Sequence, residues 1–375
     1  MRNLLRNIAE IGAGQGAPQG DSNFCNDGIP FVKAGNLEKL TTGGSLSEIQ
    51  KVSDAVAKVH KLKLYPKGTV VFAKSGMSCL KGYVYILQQD AYVVSHLACI
   101  TPKEDISEYL RYYFTYNKPN QLVKDAAYPS ISLSDIGNLV IDTKNEKIRA
   151  EITSELRSIE QIIGLREQEL SALDNLIKAR FVEMFGDPLT NPKHIPMTTI
   201  GNVCDFIGGS QPPRKEFIFK PKEGYVRLIQ IRDYKTDEYV TYAPIDHCHK
   251  FCNADDIMIG RYGPPIFQIL QGLEGAYNVA LMKAVPHGIN KEFMRAYLKR
   301  DELLHFLEGF SARTAGQAGI AMNELRSYPC PLPSTSAQEE FVDFIQQVDK
   351  SKAAVQKSLD ETQLLFDSLM QKYFG

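Results

Sequence analysis

SLSDIGNLVI, from Ser132 to Ile141, and AMNELRSYPC, from Ala321 to Cys330, decide the fold because they are two copies of one motif. They lie 189 positions apart, and the same offset continues downstream. It pairs Leu156 with Ile345, Leu170 with Leu359, and Phe185-Gly186 with Phe374-Gly375. A constant register over about 55 residues predicts an internal repeat.

The match extends upstream with small gaps, so both halves have the same order of segments. The paired segments are GIPFVKAGNL from Gly28 with GYVRLIQIRD from Gly224, PKGTVVFAKSG from Pro66 with NADDIMIGRYG from Asn253, and EYLRYYF from Glu108 with EFMRAYL from Glu292. Short β-rich runs such as TVVFA and YVRLIQI alternate with helical runs in each half. We therefore expect an α+β fold made of two similar globular domains.

Each half ends in a long stretch in which apolar residues recur alternately after three and four positions. This 3.5-residue period is typical of coiled coils. Two helices that each pack on their own domain would also be amphipathic, but the shared register favours pairing of the helices with each other. The residues of the predicted interface are Leu156, Ile159, Ile163, Leu170, Leu173 and Ile177 in the first helix and Ile345, Val348, Val355, Leu359, Phe366 and Leu369 in the second.

The length of chain between the two helices predicts whether they pair in parallel or antiparallel orientation. A helix of about 35 residues is about 52 Å long, whereas a domain of about 145 residues has a radius of gyration of about 15 Å. Antiparallel pairing lets the second helix begin beside the end of the first, so we expect an antiparallel coiled coil and an approximate two-fold axis between the halves. Gly186 suits the end of the first helix, and Ser336 with Glu339 predicts a capping box at the start of the second.

These features divide the chain into four predicted segments. They are a first domain over 1–145, a first long helix over 146–190, a second domain over 191–336 and a second long helix over 337–375. The helical segments 146–186 and 337–375 hold 10 basic and 15 acidic residues, a charge of −5. Because the whole chain carries −1, the remainder carries +4, a mild basic bias that permits contact with DNA.

Composition also bounds the compartment. No apolar run approaches the roughly 18 residues that a membrane span needs, and the opening MRNLLRNIAEIG lacks the features of a signal peptide. The seven cysteines are an odd number and are scattered, which favours reduced thiols over a disulfide framework. We therefore expect a cytoplasmic protein.

Motifs that would indicate catalysis are missing. The sequence has no G-x-x-x-x-G-K-[ST], H-E-x-x-H or G-x-S-x-G. IGAGQG, from Ile11 to Gly16, is followed by a segment that cannot form the helix of a cofactor site, so we expect a flexible surface loop there. HCHKFC, from His247 to Cys252, lacks a second pair of zinc ligands, so we expect an ordinary loop that leads into a strand. The sequence thus predicts no catalytic residue, bound cofactor or metal in this chain.

The domains instead carry loops with long hydrogen-bonding side chains. Arg and Lys suit guanine edges, Gln suits adenine, and further basic residues hold phosphates. Polar loops are also common on any solvated surface, but both halves place them at matching positions. The candidate DNA-binding residues are Lys74, Ser75, Lys81, Lys124, Tyr128 and Ser130 in the first domain and Gln211, Arg214, Lys215, Gln230, Arg232, Lys235, Arg261, Tyr262, Arg313, Thr314 and Gln317 in the second.

Two variable domains that alternate with two matched helices resemble the specificity subunit of type I restriction-modification enzymes. The resemblance spans essentially the whole chain and is carried by VRLIQIRDYKTDEY, GIAMNELRSYPCPLPSTSAQEEF and the paired endings FVEMFGD and LMQKYFG. It implies that each domain is a target recognition domain that recognises one half of a bipartite, asymmetric DNA target. It also implies that the helices set the spacing between the halves.

The resemblance further implies the partners. Double-stranded DNA, two methyltransferase (modification) subunits docked along the helices, and restriction subunits that translocate DNA would assemble with this chain. S-adenosylmethionine, ATP and Mg would then be bound by those subunits and not by this one. The first helix opens with KNEKIRAEIT and lacks the Gln of Ala337-Gln338-Glu339, so its capping departs from the family pattern. Two alternatives remain at this stage: a coiled-coil protein scaffold without DNA binding, and a stand-alone methyltransferase.

Overall fold

The computed structural model describes residues 2–263, 265–311 and 319–375. The chain divides into a first unit, Met1–Glu167 with Lys357–Gly375, and a second unit, Gln168–Gln356. Each unit therefore contains one domain and one segment of each of the two long helices. Sheets and helices occur in both units, and the predicted α+β class with two similar domains is confirmed.

The first domain contains ten strands and five short helices. The strands are β1 (Arg2–Leu4), β2 (Ala9–Ala13), β3 (Ile29–Val32), β4 (Lys51–Val52), β5 (Leu64–Tyr65), β6 (Val70–Ala73), β7 (Val84–Ile86), β8 (Ala91–Val93), β9 (Leu97–Pro102) and β10 (Val140–Asp142). The helices are α1 (Leu5–Ile8), α2 (Asn36–Thr41), α3 (Asp54–Val59), α4 (Ser107–Tyr116) and α5 (Leu133–Gly137). The first long helix, α6 (Glu146–Phe185), follows.

The second domain repeats this order within its described residues. Its strands are β11 (Met197–Thr199), β12 (Cys204–Gly208), β13 (Tyr225–Ile229), β14 (Tyr242–Pro244), β15 (Phe251–Cys252), β16 (Ile257–Gly260), β17 (Gln268–Leu270), β18 (Gly275–Tyr277), β19 (Leu281–Pro286) and β20 (Pro329–Pro331). Its helices are α7 (Ile200–Val203), α8 (Lys291–Leu298), α9 (Asp301–Ser311) and α10 (Met322–Ser327), and the second long helix is α11 (Thr335–Phe374).

The sheets of the two domains have the same topology. One sheet has the order β2-β9-β6-β7 in the first domain and β12-β19-β16-β17 in the second, with antiparallel neighbours throughout. The other has the order β4-β3-β8-β5 or β14-β13-β18-β15, in which only the central pair is parallel. The two copies that the sequence indicates therefore have the same strand order and the same pattern of strand pairing.

The strand register corrects one part of the sequence alignment. The ungapped match of GIPFVKAGNL with GYVRLIQIRD pairs Lys33 with Ile229. The strand pairings instead place Lys33 at the position of Gln230. In both copies the backbone nitrogen of this residue donates to the side chain three positions later, at 2.8 Å to Asn36 and 2.9 Å to Asp233. A slip of one residue matters because it moves every side chain of a strand to the opposite face.

The long helices each contain 40 residues. Within the second unit, Asp174 pairs with Lys352 at 2.5 Å and Arg180 pairs with Glu340 at 2.6 Å. The residue numbers rise along one helix while they fall along the other, so the segments run antiparallel. None of the helices in the described residues is both long and apolar enough to cross a membrane. All twelve residues of the predicted interface are buried or half-buried.

The helix ends differ slightly from the predicted boundaries. The first long helix ends at Phe185 instead of residue 190, and Gly186 follows with a φ of 73° and a backbone hydrogen bond to Val182. The second begins at Thr335. Its cap is Ser334, whose hydroxyl accepts a hydrogen bond from the backbone of Ala337, so the predicted capping box at Ser336 is wrong. Ser336 cannot be the cap because it lies in the first turn of the helix, whereas a cap residue has a non-helical backbone.

Both long helices complete the hydrophobic core of each unit. In the first unit Leu156 and Phe366 are buried in the same cluster of apolar side chains. The second unit is built around an aromatic cluster in which the ring centroids of neighbouring residues lie 5.1–6.0 Å apart. The residues of this cluster are Phe181, Phe185, Phe293 and Phe341. Each core thus depends on side chains from a domain and from both helices.

The glycine motif IGAGQG forms ordered structure and not the flexible loop that its composition predicts. Ile11 belongs to β2, and Gly14 lies so close to the end of β8 that an added Cβ would be 1.9 Å from the carbonyl oxygen of Val93. Gly209 occupies the same place in the second domain, where an added Cβ would be 2.0 Å from the carbonyl oxygen of Asn278. Glycine is therefore required by a close approach of two backbones.

We expect Gly14→Ala to destabilise the first unit by on the order of 3 kcal/mol, because strand β8 must move to admit a methyl group. Gly16→Ala is the matched control, since no atom lies within 4 Å of its added Cβ, and it should change the free energy of unfolding by less than about 0.5 kcal/mol. Urea unfolding monitored by circular dichroism measures both values. Similar values for the two variants would contradict the close approach.

Candidate nucleic-acid interface

Three of the candidate loops of the second domain converge. They follow β12, β13 and β16 at one end of the domain. A Cβ on Gly208, at the end of β12, would lie 3.6 Å from Nη1 of Arg261. A Cβ on Gly260 would lie 3.3 Å from the side chain of Ile231, in the loop after β13. The structure therefore brings together the loops that contain most of the predicted residues, while Arg313, Thr314 and Gln317 lie outside the described residues.

In the first domain, the loop after β6 pairs with the segment before α5. Ser75 and Ser130 form a β-bridge, and the backbone nitrogen of Ile131 donates to the carbonyl of Lys74 at 2.8 Å. This pairing brings Lys74, Ser75 and Ser130 to one place. Tyr128 lies two residues earlier and is 83% exposed. The predicted residues of these two segments therefore form one continuous surface.

The same loop is held by the same bonds in both domains. The backbone nitrogen of Lys74 donates to the carbonyl of His96 at 2.9 Å, and that of Arg261 donates to the carbonyl of Ala280 at 2.8 Å. The bridge between Ser75 and Ser130 has its counterpart between Tyr262 and Gly319. Each domain thus presents a cationic residue at an equivalent position of an equivalent loop.

The other two candidate cations of the first domain, Lys81 and Lys124, are exposed and paired with carboxylates. Lys81 contacts Glu38 at 2.7 Å, and this contact lowers the pKa of Glu38 and raises that of Lys81. Lys124 contacts Asp135 at 3.0 Å and, together with Ser132, lowers the pKa of that carboxyl. Exposed pairs of this kind are weak. A phosphate group could therefore replace either carboxylate as the partner of the lysine.

The loop after β13 contains two residues with structural roles. The side chain of Gln230 caps the 3-10 turn Ile231–Tyr234, and its amide nitrogen also donates to Thr241 at 3.2 Å. The carboxylate of Asp233, within the turn, accepts a hydrogen bond from the backbone nitrogen of Gln230 at 2.9 Å. Burial raises the pKa of this carboxyl. The guanidinium of Arg232 lies 5.6 Å from the ring of Tyr239. Gln211, Arg214, Lys215 and Lys235 are exposed.

Two residues at this surface are not among those that the sequence predicts. Lys33 occupies the place of Gln230, lies 4.3 Å from the ring centroid of Phe24 and donates to Gln50 at 2.6 Å. The match of GIPFVKAGNL with GYVRLIQIRD could have indicated Lys33, but without a gap it pairs Lys33 with Ile229 instead of Gln230. His96 forms a hydrogen bond with the hydroxyl of Ser75 at 2.8 Å. It has no counterpart in the repeat, where Ala280 takes its position, so the sequence contains no signal for it.

The histidine- and cysteine-rich segment HCHKFC leads into β15. His247 pairs with Glu216 at 2.6 Å, while Cys248 and Cys252 are buried in two separate apolar clusters. Burial raises the pKa of the Cys252 thiol to about 11. Among the described residues, no group of three or more His, Cys, Asp or Glu side chains is arranged to hold a metal ion.

We expect Gln230→Ala to lower the free energy of unfolding by about 1–2 kcal/mol, because it removes a cap and a half-buried hydrogen bond. Gln211→Ala is the control, since this glutamine is exposed and its removal should cost less than about 0.5 kcal/mol. Chemical denaturation of both variants measures the difference. If Gln230→Ala is as stable as Gln211→Ala, the capping role is wrong.

Comparison with known proteins agrees with this architecture. The family model for the type I restriction modification DNA specificity domain matches residues 4–175 and 192–362. The chain is 30% identical over 172 residues to the type I restriction enzyme MjaIX specificity subunit of Methanocaldococcus jannaschii. That alignment covers 44% of this chain and 38% of the relative, so the chain matches less than half of that protein's length.

Solved structures share the fold. The S subunit of a type I restriction-modification system from M. genitalium is 13% identical, with a TM-score of 0.55 and coverage of 100% of this chain and 96% of that one. A chain from a structure concerned with complex assembly and conformational transition of the type I R-M system is 16% identical, with a TM-score of 0.53 and coverage of 100% and 97%. The chain therefore belongs to the DNA specificity family of type I restriction-modification systems, whose members are non-catalytic subunits.

Proposed function

We propose that this chain recognises a bipartite, asymmetric DNA target and that each domain contacts one half. The observation that supports this most directly is the equivalent placement of Lys74 and Arg261 by the same backbone bonds. Cationic side chains at such positions suit guanine edges or phosphates. The proposed boundaries of the recognition domains are 1–145 and 191–336, as the sequence predicts.

The two half-sites should differ in sequence because the two copies differ in side chains. Ser75 in the first domain is matched by Tyr262 in the second. Arg261 presents a planar fork of donors, whereas Lys74 presents a compact ammonium, and these groups prefer different base edges. Chemically unlike residues at the same positions of the same frame would select unlike bases.

We infer that the long helices set the spacing between the half-sites. A helix of 40 residues measures about 60 Å, which corresponds to about 18 base pairs at about 3.4 Å each. Domains that lean inward would contact half-sites closer than this limit. The helices would also receive the two methyltransferase subunits, with S-adenosylmethionine, ATP and Mg bound by the partner subunits and the complex located in the cytoplasm.

Exposed apolar side chains on the helices support the docking of partners. Leu165 is 63% exposed on the first long helix, and Leu364 is 67% exposed on the second. Ile162, 43% exposed, is a neighbour of Leu165 on the same face of the helix, and contiguous exposed apolar side chains are typical of surfaces that another protein covers. A scaffold without DNA binding would also use such a surface. Salt-sensitive binding of the assembled complex to duplex DNA would exclude the scaffold, because release of counterions is the signature of phosphate contacts.

Exchange of residues 191–336 for those of another family member should change one half of the target and leave the other half and the spacing unchanged. Each domain closes its own sheets, so the exchange keeps the first domain intact. Methylation-sensitive sequencing of DNA from cells that express the hybrid with its methyltransferase subunit would identify both halves. A hybrid that alters both halves would contradict modular recognition.

Lys74→Gln and Arg261→Gln should each relax base preference in a different half-site and weaken binding by about 1–3 kcal/mol. Lys147→Gln, an exposed substitution at the start of the first long helix, should leave both halves unchanged. Competition binding of the methyltransferase complex to a library of randomised target sequences measures base preference at every position. The proposal fails if the two variants affect the same half-site, or if neither affects any.

A further inference from the structure

A pocket of about 540 Å³ lies within the second unit. It is formed by segments of both long helices, the α8–α9 corner and strand β17 with the residue before it. Its lining includes the side chains of Phe181, Phe267 and Phe341. Pockets of roughly 300–1,000 Å³ with a mainly apolar lining are typical of sites for small molecules. None of the candidate DNA-binding residues within the described part of the chain lines this pocket.

Arg300 lines the pocket and is almost fully buried. The residue is only 8% exposed, and its guanidinium lies 4.6 Å from the ring centroid of Phe181. Two of its nitrogens contact Glu302, at 3.1 and 3.2 Å. The third, Nη1, is buried and has no hydrogen-bond partner among the described residues. This nitrogen is enclosed by the protein, so the guanidinium would act on a ligand through its charge and not through this donor.

A second cation faces the same space. The pKa of Lys299 is lowered, because its ammonium is partly desolvated and lies near Arg295 and Lys352. The pocket is lined by five cationic side chains and four carboxylates. The carboxylates contact other cations: Asp174 contacts Lys352 at 2.5 Å, Asp301 contacts Lys178 at 2.6 Å, Glu302 contacts Arg300 at 3.1 Å, and Asp349 lies 3.7 Å from Arg295. The positive charge that remains is that of Lys299.

The internal repeat provides a natural comparison. Ala296 of the pocket corresponds to Tyr112 in the first unit, through the match of EFMRAYL with EYLRYYF. Tyr112 is fully buried there, its ring centroid lies 6.3 Å from that of Phe366, and its hydroxyl donates to Glu160 at 2.7 Å. Lys352 corresponds to the apolar Ile163. A tyrosine thus fills, in one copy, the place that an alanine leaves open in the other.

We propose that this pocket binds a small organic anion that has an aromatic or branched apolar body. The apolar body would pack against Phe181 and Phe341, and its carboxylate would accept a hydrogen bond from the ammonium of Lys299. The small side chain of Ala296 leaves the space that this apolar body would occupy. This inference does not rest on DNA recognition, because the pocket and its charges belong to the second unit alone.

The test uses the full chain and fluorine NMR of 4-(trifluoromethyl)phenylacetate, with the neutral 4-(trifluoromethyl)phenylacetamide as the matched probe. We expect the carboxylate to bind and the amide to bind at least about tenfold more weakly, since the amide lacks the charge-assisted hydrogen bond with Lys299. Inorganic phosphate should compete poorly because it lacks the apolar body. Equal binding of the two probes, or full competition by phosphate, would overturn the proposal.

Three variants locate the site. Ala296→Tyr copies the first unit and should abolish binding. Lys299→Gln changes an exposed residue, so folding should be preserved, and it should weaken binding about fivefold or more. Lys350→Gln is the control, because Lys350 is exposed on the same helix as Lys352 and does not line the pocket. If Lys299→Gln binds the carboxylate as tightly as Lys350→Gln does, the proposed site is wrong even where Ala296→Tyr fails to fold.

Discussion

Burial of the apolar seam of the two long helices is the constraint on which both units depend. Leu156 and Phe366 enter the core of the first unit, and Phe181 and Phe341 enter that of the second. Neither domain therefore closes its core with its own residues alone. Because each helix contributes to both cores, a break in either helix would expose apolar surface in both units. The domains hence depend on the same element that, in the proposed function, sets the spacing of the DNA target.

This constraint explains which features the sequence can reveal. A buried stripe restricts residue type at every turn, so the period of the seam is visible in the amino-acid sequence alone. The close approach at Gly14 is not visible there, because the backbone that it meets, at Val93, is distant in the sequence. The one-residue error of the sequence alignment at Lys33 has a similar cause. Sequence similarity locates an equivalent strand, but only the hydrogen bonds to its neighbours establish the register.

The loops show how one frame can accommodate different chemistry. At the positions of Lys33 and Gln230, the shared contact is between the backbone nitrogen and the side chain of Asn36 or Asp233. The frame therefore constrains the later residue, whereas the first side chain forms a different contact in each copy, with Gln50 for Lys33 and with Thr241 for Gln230. The same separation applies at Lys74 and Arg261, where only backbone atoms form the repeated bonds. Recognition residues can thus change without loss of the fold. For the same reason, the type of a single loop residue does not by itself predict whether that residue contacts DNA.

The two copies also differ where the helices meet the domains. The aromatic cluster of the second core contains four phenylalanines, two of which line the pocket. Their counterparts in the first unit are Met370, Phe374, Tyr109 and Ile152. A cavity persists only where the surrounding side chains cannot move into it. Where they can move, the cavity shrinks and its free-energy cost falls. Rings in mutual edge contact resist such collapse because each is held by its neighbours. The replacement of a tyrosine by Ala296 therefore leaves an open pocket in the second unit, since the aromatic cluster beside it keeps its shape.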